Sequence, residues 1–277
     1  MNEFQSALDH VHTTLAGLRE QGVALRASAA ALARLAAPRT AAKPVPAPLP
    51  VAAPIVETRP LSRPPAASGG SKAELLAALR GPVLACTLCP HLVKSRTQVV
   101  FGVGNPEAEV MFVGEAPGED EDLQGEPFVG QAGQLLTKII VAMGFSRGDV
   151  YIANVLKCRP DLPAGESGNR KPKPAEMQTC LPYLRQQIDI IQPRALVALG
   201  ATAMAGLLGA DEPMAKLRGR WHDFHGIPLM ATYHPAYLLR NQSLTEKRKV
   251  WEDMLLVLER LEKTISEKQR GYFLSKG

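Results

Sequence analysis

The sequence predicts a three-layer α/β/α domain with a central, mainly parallel four-stranded sheet, preceded by a helical or disordered N-terminal extension. From about residue 71 onwards, short apolar runs of strand length alternate with segments of helical spacing. This alternation favours parallel strands that are covered by helices on both faces. A second observation is a glycine-rich turn directly after the first apolar run, where a strand is expected to lead into a helix. The 277 residues are enough for one sizeable domain with appendages.

Two segments before the domain have compositions of their own. Residues 1–36 have apolar residues at alternating spacings of four and three, which is typical of a helix with a heptad seam. Such a helix would mediate self-association or bind a protein partner, whereas an alanine-rich segment of this kind can also be only partly helical when free. Residues 37–70 are rich in proline and alanine and are predicted to form a semi-extended linker.

The domain is predicted to span residues 71–264, beginning with Ser71 as the N-cap of a helix that ends near Arg80. Apolar runs predict strands at 109–114, 150–156, 194–199 and 228–233. Helical spacing predicts helices at 132–143, 174–191, 201–208 and 244–264. Residues 265–277 show no strong pattern and are treated as a C-terminal tail.

Composition and charge limit the functional classes. No run of about 18 apolar residues occurs, so we expect no membrane span, and the N-terminus lacks the pattern of a secretory signal. Four cysteines in a chain of this length indicate metal ligands or core residues of a reducing compartment, which predicts a location in the bacterial cytoplasm or nucleoid. The net charge of +5 suggests an acidic partner, but +3 of it falls in residues 38–70, so a nucleic-acid surface on the domain requires local clustering.

All four cysteines lie in the predicted domain and have the spacing of a metal site. Cys86 and Cys89 form a C-x2-C turn, 68 residues separate Cys89 from Cys158, and 21 residues separate Cys158 from Cys180. Four such thiolates can hold zinc or a [4Fe–4S] cluster, and the spacing alone does not separate the two. The loop 159–179 carries a basic cluster suited to phosphate groups, consisting of Arg159, Arg170, Lys171 and Lys173.

Polar or glycine-rich features follow two of the predicted strands. Gly114–Gly118 and Gly125–Gly130 flank an acidic run after the first strand, and their glycines allow the backbone to approach a ligand. Asn154 lies in an apolar strand, where its amide is costly unless it bonds to neighbouring backbone or to a ligand such as the edge of a pyrimidine. Because ligands of open α/β sheets bind outside the carboxyl ends of the strands, these features predict a binding site at that edge.

The segment Thr232–Arg240 follows the last predicted strand. His234, which precedes a proline, is placed to donate a hydrogen bond to an oxygen that gains negative charge. A lone histidine is more often structural. This histidine follows a strand, as the glycine-rich motif does after the first predicted strand, and that shared position favours a functional role. Leu238, Leu239 and Arg240 are predicted on an exposed turn, and apolar wedges with an arginine suit insertion into a base stack.

Together these motifs resemble the uracil-DNA glycosylase superfamily and, within it, the iron–sulfur, thermostable type known as family 4. The resemblance covers about residues 75–260. The matching motifs are the four cysteines with Gly114–Gly118, Gly125–Gly130, Asn154–Pro160 and Thr232–Arg240. The resemblance implies an enzyme that binds uracil-containing DNA, flips the uracil out and hydrolyses its N-glycosidic bond to initiate base excision repair. It also implies that the cysteines hold a structural [4Fe–4S] cluster.

The resemblance assigns a role to each motif. Phe128 would stack on the flipped base, and Asn154 would read its edge. The backbone around Gly114 and Glu115 would bind a uracil oxygen, and His234 would stabilise the leaving uracil anion. The residues that would fill the gap in the base stack are Leu238, Leu239 and Arg240.

One position departs from the best-known members of the superfamily, which place an aspartate in the first motif to direct water. Ala116 occupies that position here. Either Glu121 or Glu115 is then the candidate for orienting the water, and the sequence does not decide between them.

Two other functions are compatible with the motifs. The nearest is a relative that binds uracil-DNA covalently through a nucleophilic histidine in an arginine-rich loop. The equivalent stretch here, Leu217–His225, is basic and contains His222 and His225, but that relative carries glutamine in place of Ala116. The second is a non-catalytic DNA-binding module that is held together by a metal and tethered to a repair partner by the N-terminal segment.

Overall fold

A computed structural model describes residues 70–274 apart from residues 164 and 167. The predicted helix at 1–36, nearly all of the predicted linker and the last three residues lie outside this part. The strands of the described part are β1 (Val103–Gly104), β2 (Val110–Gly114), β3 (Tyr151–Asn154), β4 (Ala195–Leu199), β5 (Trp221–Phe224) and β6 (Ile227–Thr232). They form one sheet in the order β1-β3-β2-β4-β6-β5.

The four central strands of the sheet are parallel, and the two outer strands run against their neighbours. β3, β2, β4 and β6 pair in parallel register, whereas β1 and β5 pair in antiparallel register. The prediction of a mainly parallel core is confirmed, but the prediction of four strands is wrong because the sheet has six. The apolar pattern misses the outer strands because β1 has only two residues and β5 carries the polar residues His222 and Asp223.

Helices of the described part cover the sheet and its edges. They are α1 (Lys72–Leu84), α2 (Pro90–Ser95), α3 (Glu119–Gln124), α4 (Gln131–Ala142), α5 (Pro174–Ile191), α6 (Ala201–Leu208), α7 (Met214–Leu217), α8 (Pro235–Arg240), α9 (Leu244–Arg260) and α10 (Glu267–Arg270). The helix α10 lies in the predicted tail, where Ser266 and Gln269 form a capping box at its start. None of these helices is long and apolar enough to cross a membrane.

The side chains of β2 point alternately to the two sides of the sheet, as strand geometry requires. Met111 and Val113 belong to one buried cluster, which includes residues of α1, α5 and α6. Val110 and Phe112 belong to a second cluster, which includes residues of α4 and α9. The three-layer α/β/α architecture is therefore confirmed. Full burial of each such side chain contributes roughly 1.5–3 kcal/mol, so the carboxyl edge of the sheet rests on a well-packed support.

Candidate active site

The predicted site residues meet at the carboxyl edge of the parallel strands. β2 ends at Gly114, β3 ends at Asn154, and these two residues are paired in the sheet. β6 ends at Thr232, two residues before His234. Because these strands are parallel, their ends lie at one edge, and the sequence predicts this convergence correctly.

Gly114 lies where a side chain would have no space. A Cβ atom placed on Gly114 would be 2.4 Å from Oδ1 of Asn154 and 2.4 Å from Cζ of Phe128. Non-bonded atoms do not approach this closely, so a glycine is required for the amide and the aromatic ring to lie against the end of β2. These residues form one side of the candidate site, which is termed the pocket below.

Phe128 forms the second wall in an unusual backbone conformation. Its φ of 55° lies in the left-handed region, which a bulky residue adopts only when its surroundings enforce it. On one side Arg147 donates to the carbonyl of Pro127, and on the other the amides of Val129 and Gly130 donate to one carboxylate, that of Glu121. The ring is buried, with 6 % of the residue exposed.

Glu121 connects the two glycine-rich motifs through its carboxylate. Oε1 accepts from the amides of Val129 at 3.0 Å and Gly130 at 2.9 Å, and Oε2 accepts from the amide of Gly118 at 3.0 Å. Three backbone donors on one carboxylate favour a role in positioning Phe128 over one in directing water.

Glu115 differs from Glu121 because no hydrogen bond from the described residues reaches its carboxylate. The residue is half-buried, and only its carbonyl is engaged, accepting from the amide of Leu156 at 3.0 Å. Ala116 packs against the hydrophobic core and has no polar atom to offer. The assignment of the water to Glu115 or Glu121 stays a prediction, and the contacts favour Glu115.

Asn154 carries a buried amide oxygen without a partner. The residue is 2 % exposed, and Oδ1 has no hydrogen bond within the described part of the chain. An unsatisfied buried polar group costs about 1–3 kcal/mol. An amide kept in this state at the wall of a pocket is available for a ligand with a complementary donor.

His234 presents one nitrogen to the pocket in a defined tautomer. Its Nδ1 accepts a hydrogen bond from the amide of Ala236 at 3.1 Å, as the N-cap of α8. The proton of the neutral ring is therefore on Nε2. Burial lowers the pKa of His234 to about 4, with a smaller contribution from Arg240. The ring lies 5.6 Å from that of Phe128, centroid to centroid, so the site holds a neutral donor beside an aromatic wall.

The segment after His234 is a helix and not the exposed turn that the sequence predicts. Pro235 starts α8, and the helical period turns Leu238 inward, where it is 4 % exposed. The prediction that Leu238 is exposed for insertion into a base stack is therefore wrong. Leu239, at 36 % exposed, and Arg240 lie on the outer surface.

The four cysteines lie near one another, and none of them forms a disulfide. Cys158 and Cys180 are buried, whereas Cys86 and Cys89 are half-buried. Burial, with smaller contributions from Cys158 and Cys86, raises the pKa of Cys180 to about 12, although Lys157 opposes this. The predicted grouping of these residues is therefore present.

Donors already face two of the cysteine sulfurs. Nη1 of Arg96 lies 3.0 Å from the sulfur of Cys158, and the amide of Lys157 lies 3.2 Å from the sulfur of Cys180. Such bonds stabilise thiolates that bind a metal. No local pattern marks Arg96 in the sequence, so its contact with the cysteines was not predicted.

The spread of the sulfurs can be compared with that around a zinc ion. Within the described residues, the group of three or more Cys, His, Asp or Glu ligand atoms that lie within 4.8 Å of one another is His91, Asp161 and Glu176, without any cysteine. Four thiolates around one Zn²⁺ at 2.3 Å would lie roughly 3.8 Å apart. The described cysteine sulfurs are therefore not drawn together as closely as they would be around a bound zinc ion.

The group around Glu176 is an ion-pair network. Arg170 donates to both carboxylate oxygens of Glu176 and to Asp161, and His91 bonds to Glu176 at 2.8 Å. The guanidinium of Arg170 already pairs with the carboxylates that a metal cation would need. The same pairing disfavours the prediction that Arg170 binds phosphate groups. Lys171 is exposed, so that prediction stays open for its side chain.

The histidines of the covalent alternative lie away from the pocket. His225 is in the turn between β5 and β6, at the start of β6, whereas the pocket lies beyond its end. His222 pairs with Leu229 within the sheet, and its Nε2 contacts the carbonyl of Leu217 at 2.8 Å. Neither ring faces Phe128 in this arrangement.

An α/β/α sheet that brings Phe128, Asn154 and a neutral His234 together at its carboxyl edge is the basis for the comparison with known proteins. The chain belongs to the uracil DNA glycosylase superfamily, whose family model matches residues 101–255. The resemblance of the motifs to this superfamily is thereby confirmed.

Individual relatives narrow the comparison to one type. The chain is similar to a type-4 uracil-DNA glycosylase of Thermotoga maritima, with 46% identity over 66% of this chain and 93% of the relative. A type-4 enzyme of Archaeoglobus fulgidus is 41% identical over 60% of this chain and 83% of its own length. A type-5 uracil-DNA glycosylase of Pyrobaculum aerophilum is less similar, with 31% identity over 55% of this chain and 79% of its own.

Proposed function

We propose that the chain is a uracil-DNA glycosylase of the type-4 class, which flips uracil out of DNA and hydrolyses its N-glycosidic bond to initiate base excision repair. The observation that carries this proposal is the buried, unpartnered amide of Asn154, set beside Phe128 and the neutral ring of His234. The relatives bear the same activity in their names.

Recognition of uracil follows from the amide and the ring. One amide offers a donor and an acceptor, which complement O4 and N3–H of uracil. Phe128 supplies a flat apolar surface on which the base would stack, and the absence of a Cβ on Gly114 lets this ring lie against the end of β2. Glu121 and Arg147 bind the backbone on either side of Phe128 and hold it in the left-handed conformation. The ring of Phe128 is therefore positioned before the base binds.

The proposed catalysis stabilises the negative charge that develops on the leaving uracil. When the N-glycosidic bond breaks, its electron pair stays on uracil, and the charge spreads to O2. The Nε2–H of His234 would donate to that oxygen, and one preorganised donor of this kind is worth about 3 kcal/mol. A water oxygen then bonds to the sugar carbon and releases its proton to uracil or solvent. Glu115 is our candidate for orienting this water.

Access to the base requires extrusion from the duplex. Unpairing and unstacking cost a few kcal/mol, and least at a mismatch. Leu239 and Arg240 are exposed on α8 beside His234 and would fill the gap that the base leaves. Leu238 supports them from within the core, so the wedge has two residues in place of three.

A [4Fe–4S] cluster is the proposed occupant of the four thiols. Cys86, Cys89, Cys158 and Cys180 would hold it, and Arg96 with the amide of Lys157 would donate to two of the sulfurs. The cluster would supply a covalent cross-link between distant segments, since hydrolysis needs no electrons.

Uracil excision from defined oligonucleotides tests the proposal. We expect alkali-labile sites on strands with uracil opposite guanine, opposite adenine and in single strands, and none where thymine replaces uracil. An adduct between protein and DNA that survives SDS would favour the covalent alternative. Binding of uracil-DNA without cleavage would favour the non-catalytic module.

A further inference from the structure

Three consecutive residues link the cysteines to the pocket. Arg96, Thr97 and Gln98 follow helix α2 and are here termed the bridging segment. At one end, Arg96 donates to the sulfur of Cys158 at 3.0 Å and to the carbonyl of Cys86 at 2.7 Å. This end of the segment is therefore attached to two of the proposed cluster ligands.

The other end of the bridging segment holds helix α3. The amide of Thr97 donates to Oδ2 of Asp122 at 2.8 Å, and the side chain of Gln98 donates to the carbonyl of Leu123 at 2.8 Å. Asp122 is 2 % exposed. A Cβ on Gly125, at the end of α3, would lie 2.5 Å from Oε1 of Gln98. The segment thus packs closely under this helix.

Helix α3 in turn holds the aromatic wall of the pocket. It has six residues, too few to be stable without tertiary contacts, so its neighbours determine where it lies. Glu121, next to Asp122, binds the amides of Val129 and Gly130, which directly follow Phe128. A shift of α3 would therefore move the ring that stacks on the base.

Asp122 connects the bridging segment to α3 through one oxygen only. Its Oδ2 accepts from the amide of Thr97, and its Oδ1 is buried without a partner among the described residues. The proposed chemistry gives Asp122 no direct part, so the contact with Thr97 is the role that the structure assigns to its carboxylate.

We propose that the bridging segment couples the cysteine-bound cluster to the base pocket, with Asp122 as the positioning residue at the pocket end. This inference rests on the proposed function. Coupling between two sites is reciprocal, so a cluster that orders the pocket must itself be held more firmly when the pocket is filled. Filling the pocket should therefore make the cluster harder to remove, and this effect can be measured separately from the activity.

The rate at which an iron chelator bleaches the cluster measures this coupling. We expect saturating free uracil to slow the loss of absorbance near ~400 nm by at least about 5-fold, the lower range of coupling between sites. In Asp122→Ala, uracil should slow the loss of the cluster by less than about 2-fold, because the hydrogen bond between the bridging segment and α3 is absent. The matched control is Asp189→Ala, which changes an exposed acid of α5 and should keep the full protection.

A second variant covers the case in which Asp122→Ala fails to fold. Gln98 is exposed, so Gln98→Ala should fold normally and still reduce the protection by uracil. For both variants we expect KM for uracil-DNA to rise more than kcat falls, since the ring of Phe128 is displaced but His234 is not.

The outcomes separate this inference from the proposed function. A wild-type protein that is coloured and excises uracil, but whose cluster is lost at the same rate with and without uracil, would refute the coupling alone. Full protection by uracil in both Asp122→Ala and Gln98→Ala would refute the assigned route. A colourless protein that excises uracil would refute the cluster, and this inference with it, whereas a protein without excision would refute the proposed function on which this inference rests.

Discussion

At the scale of single residues, the proposed chemistry depends most on His234. Its Nδ1 caps helix α8, which leaves the proton of the neutral ring on Nε2. In the proposed reaction, this one side chain would connect the start of a helix to the oxygen of the leaving base. The cap orients the ring without any charged partner, and a neutral imidazole is the proposed catalytic form.

Replacing the ring while keeping the cap tests this role. In His234→Asn the new side chain can still cap the helix, but the Nε2 donor is lost. We expect kcat for uracil excision to fall by about 10²–10³-fold, the effect of removing one preorganised donor, with a smaller change in KM. His225→Asn is the matched control because that residue lies in an exposed turn with a φ of 51°, which asparagine tolerates. Equal loss in both variants would contradict the assignment.

The lowered pKa of His234 also predicts how stability changes with pH. The folded protein binds the proton only near pH 4, whereas the unfolded chain binds it near the ordinary value of 6.5. The contribution of His234 to the free energy of unfolding is therefore complete above pH 6.5. It is lost as the pH falls through 4, because the folded protein must then bind the proton at a buried site.

Urea unfolding at about pH 7 and about pH 4.5 measures this effect. We expect the free energy of unfolding to fall more steeply with acid in the wild type than in His234→Asn. Parallel pH dependences of the two proteins would show that the histidine is not buried as described.

At the scale of elements, β6 is held to helix α9 by a hydrogen bond to a buried carboxylate, which Arg218 also pairs. Asp253 of α9 is fully buried and accepts from Thr232 at 2.6 Å, at the end of β6. Arg218 donates to both of its oxygens, at 3.1 Å and 2.8 Å, and lies over the ring of Tyr233. Burial raises the pKa of Asp253 to about 6, although Thr232 and Arg218 oppose this. The contacts fix the strand end from which His234 projects.

Removal of this carboxylate should destabilise the domain strongly. Asp253→Ala leaves Arg218 unpaired and only 14% exposed, and breaking a buried pair costs about 3–5 kcal/mol. Glu252→Ala is the control because it removes an exposed pair with Arg248 on the same helix, worth about 0.5 kcal/mol or less. Urea unfolding of both variants gives the two values, and similar losses would contradict the importance of the buried pair.

The sequence predicts elements and site residues to different extents. Apolar runs identify the parallel strands because these are buried on both faces, and the motifs at their ends identify Gly114, Asn154 and His234. The inward direction of Leu238 was missed because a proline after a strand suits both a turn and the start of a helix. The contacts of Arg147 and Asp253 join residues far apart in the chain, and no local pattern reports them.

At the scale of the whole molecule, the cysteines and an ion-pair network lie on the same three segments. Cys86 and Cys89 precede α2, Cys158 follows β3, and Cys180 lies within α5. The network of Arg170 with His91, Asp161 and Glu176 joins these three segments as well. Although burial raises it, the pKa of Glu176 is lowered to about 2 by Arg170, the Lys173 amide and His91. The carboxylate therefore stays charged at neutral pH, and the ion pairs persist.

Loss of one cysteine should remove the proposed cluster without abolishing the fold of the sheet. We expect Cys180→Ser to lack absorbance near ~400 nm and to unfold at a lower temperature, since a metal bound only by the folded state stabilises it. The adjacent change Thr179→Ser should keep both properties. A colourless wild type with one zinc ion per chain would contradict the cluster.

The two short outer strands have a consequence for how the molecule behaves at high concentration. β1 has two residues, and a Cβ on Gly104 would lie 1.9 Å from the carbonyl oxygen of Val150, while β5 places His222 and Asp223 at the opposite edge. Long, flat, apolar edges recruit strands from other chains, and short or polar edges prevent it. Within the described residues, neither outer strand therefore offers a long apolar edge, and we expect strand addition from other chains to be disfavoured at high concentration.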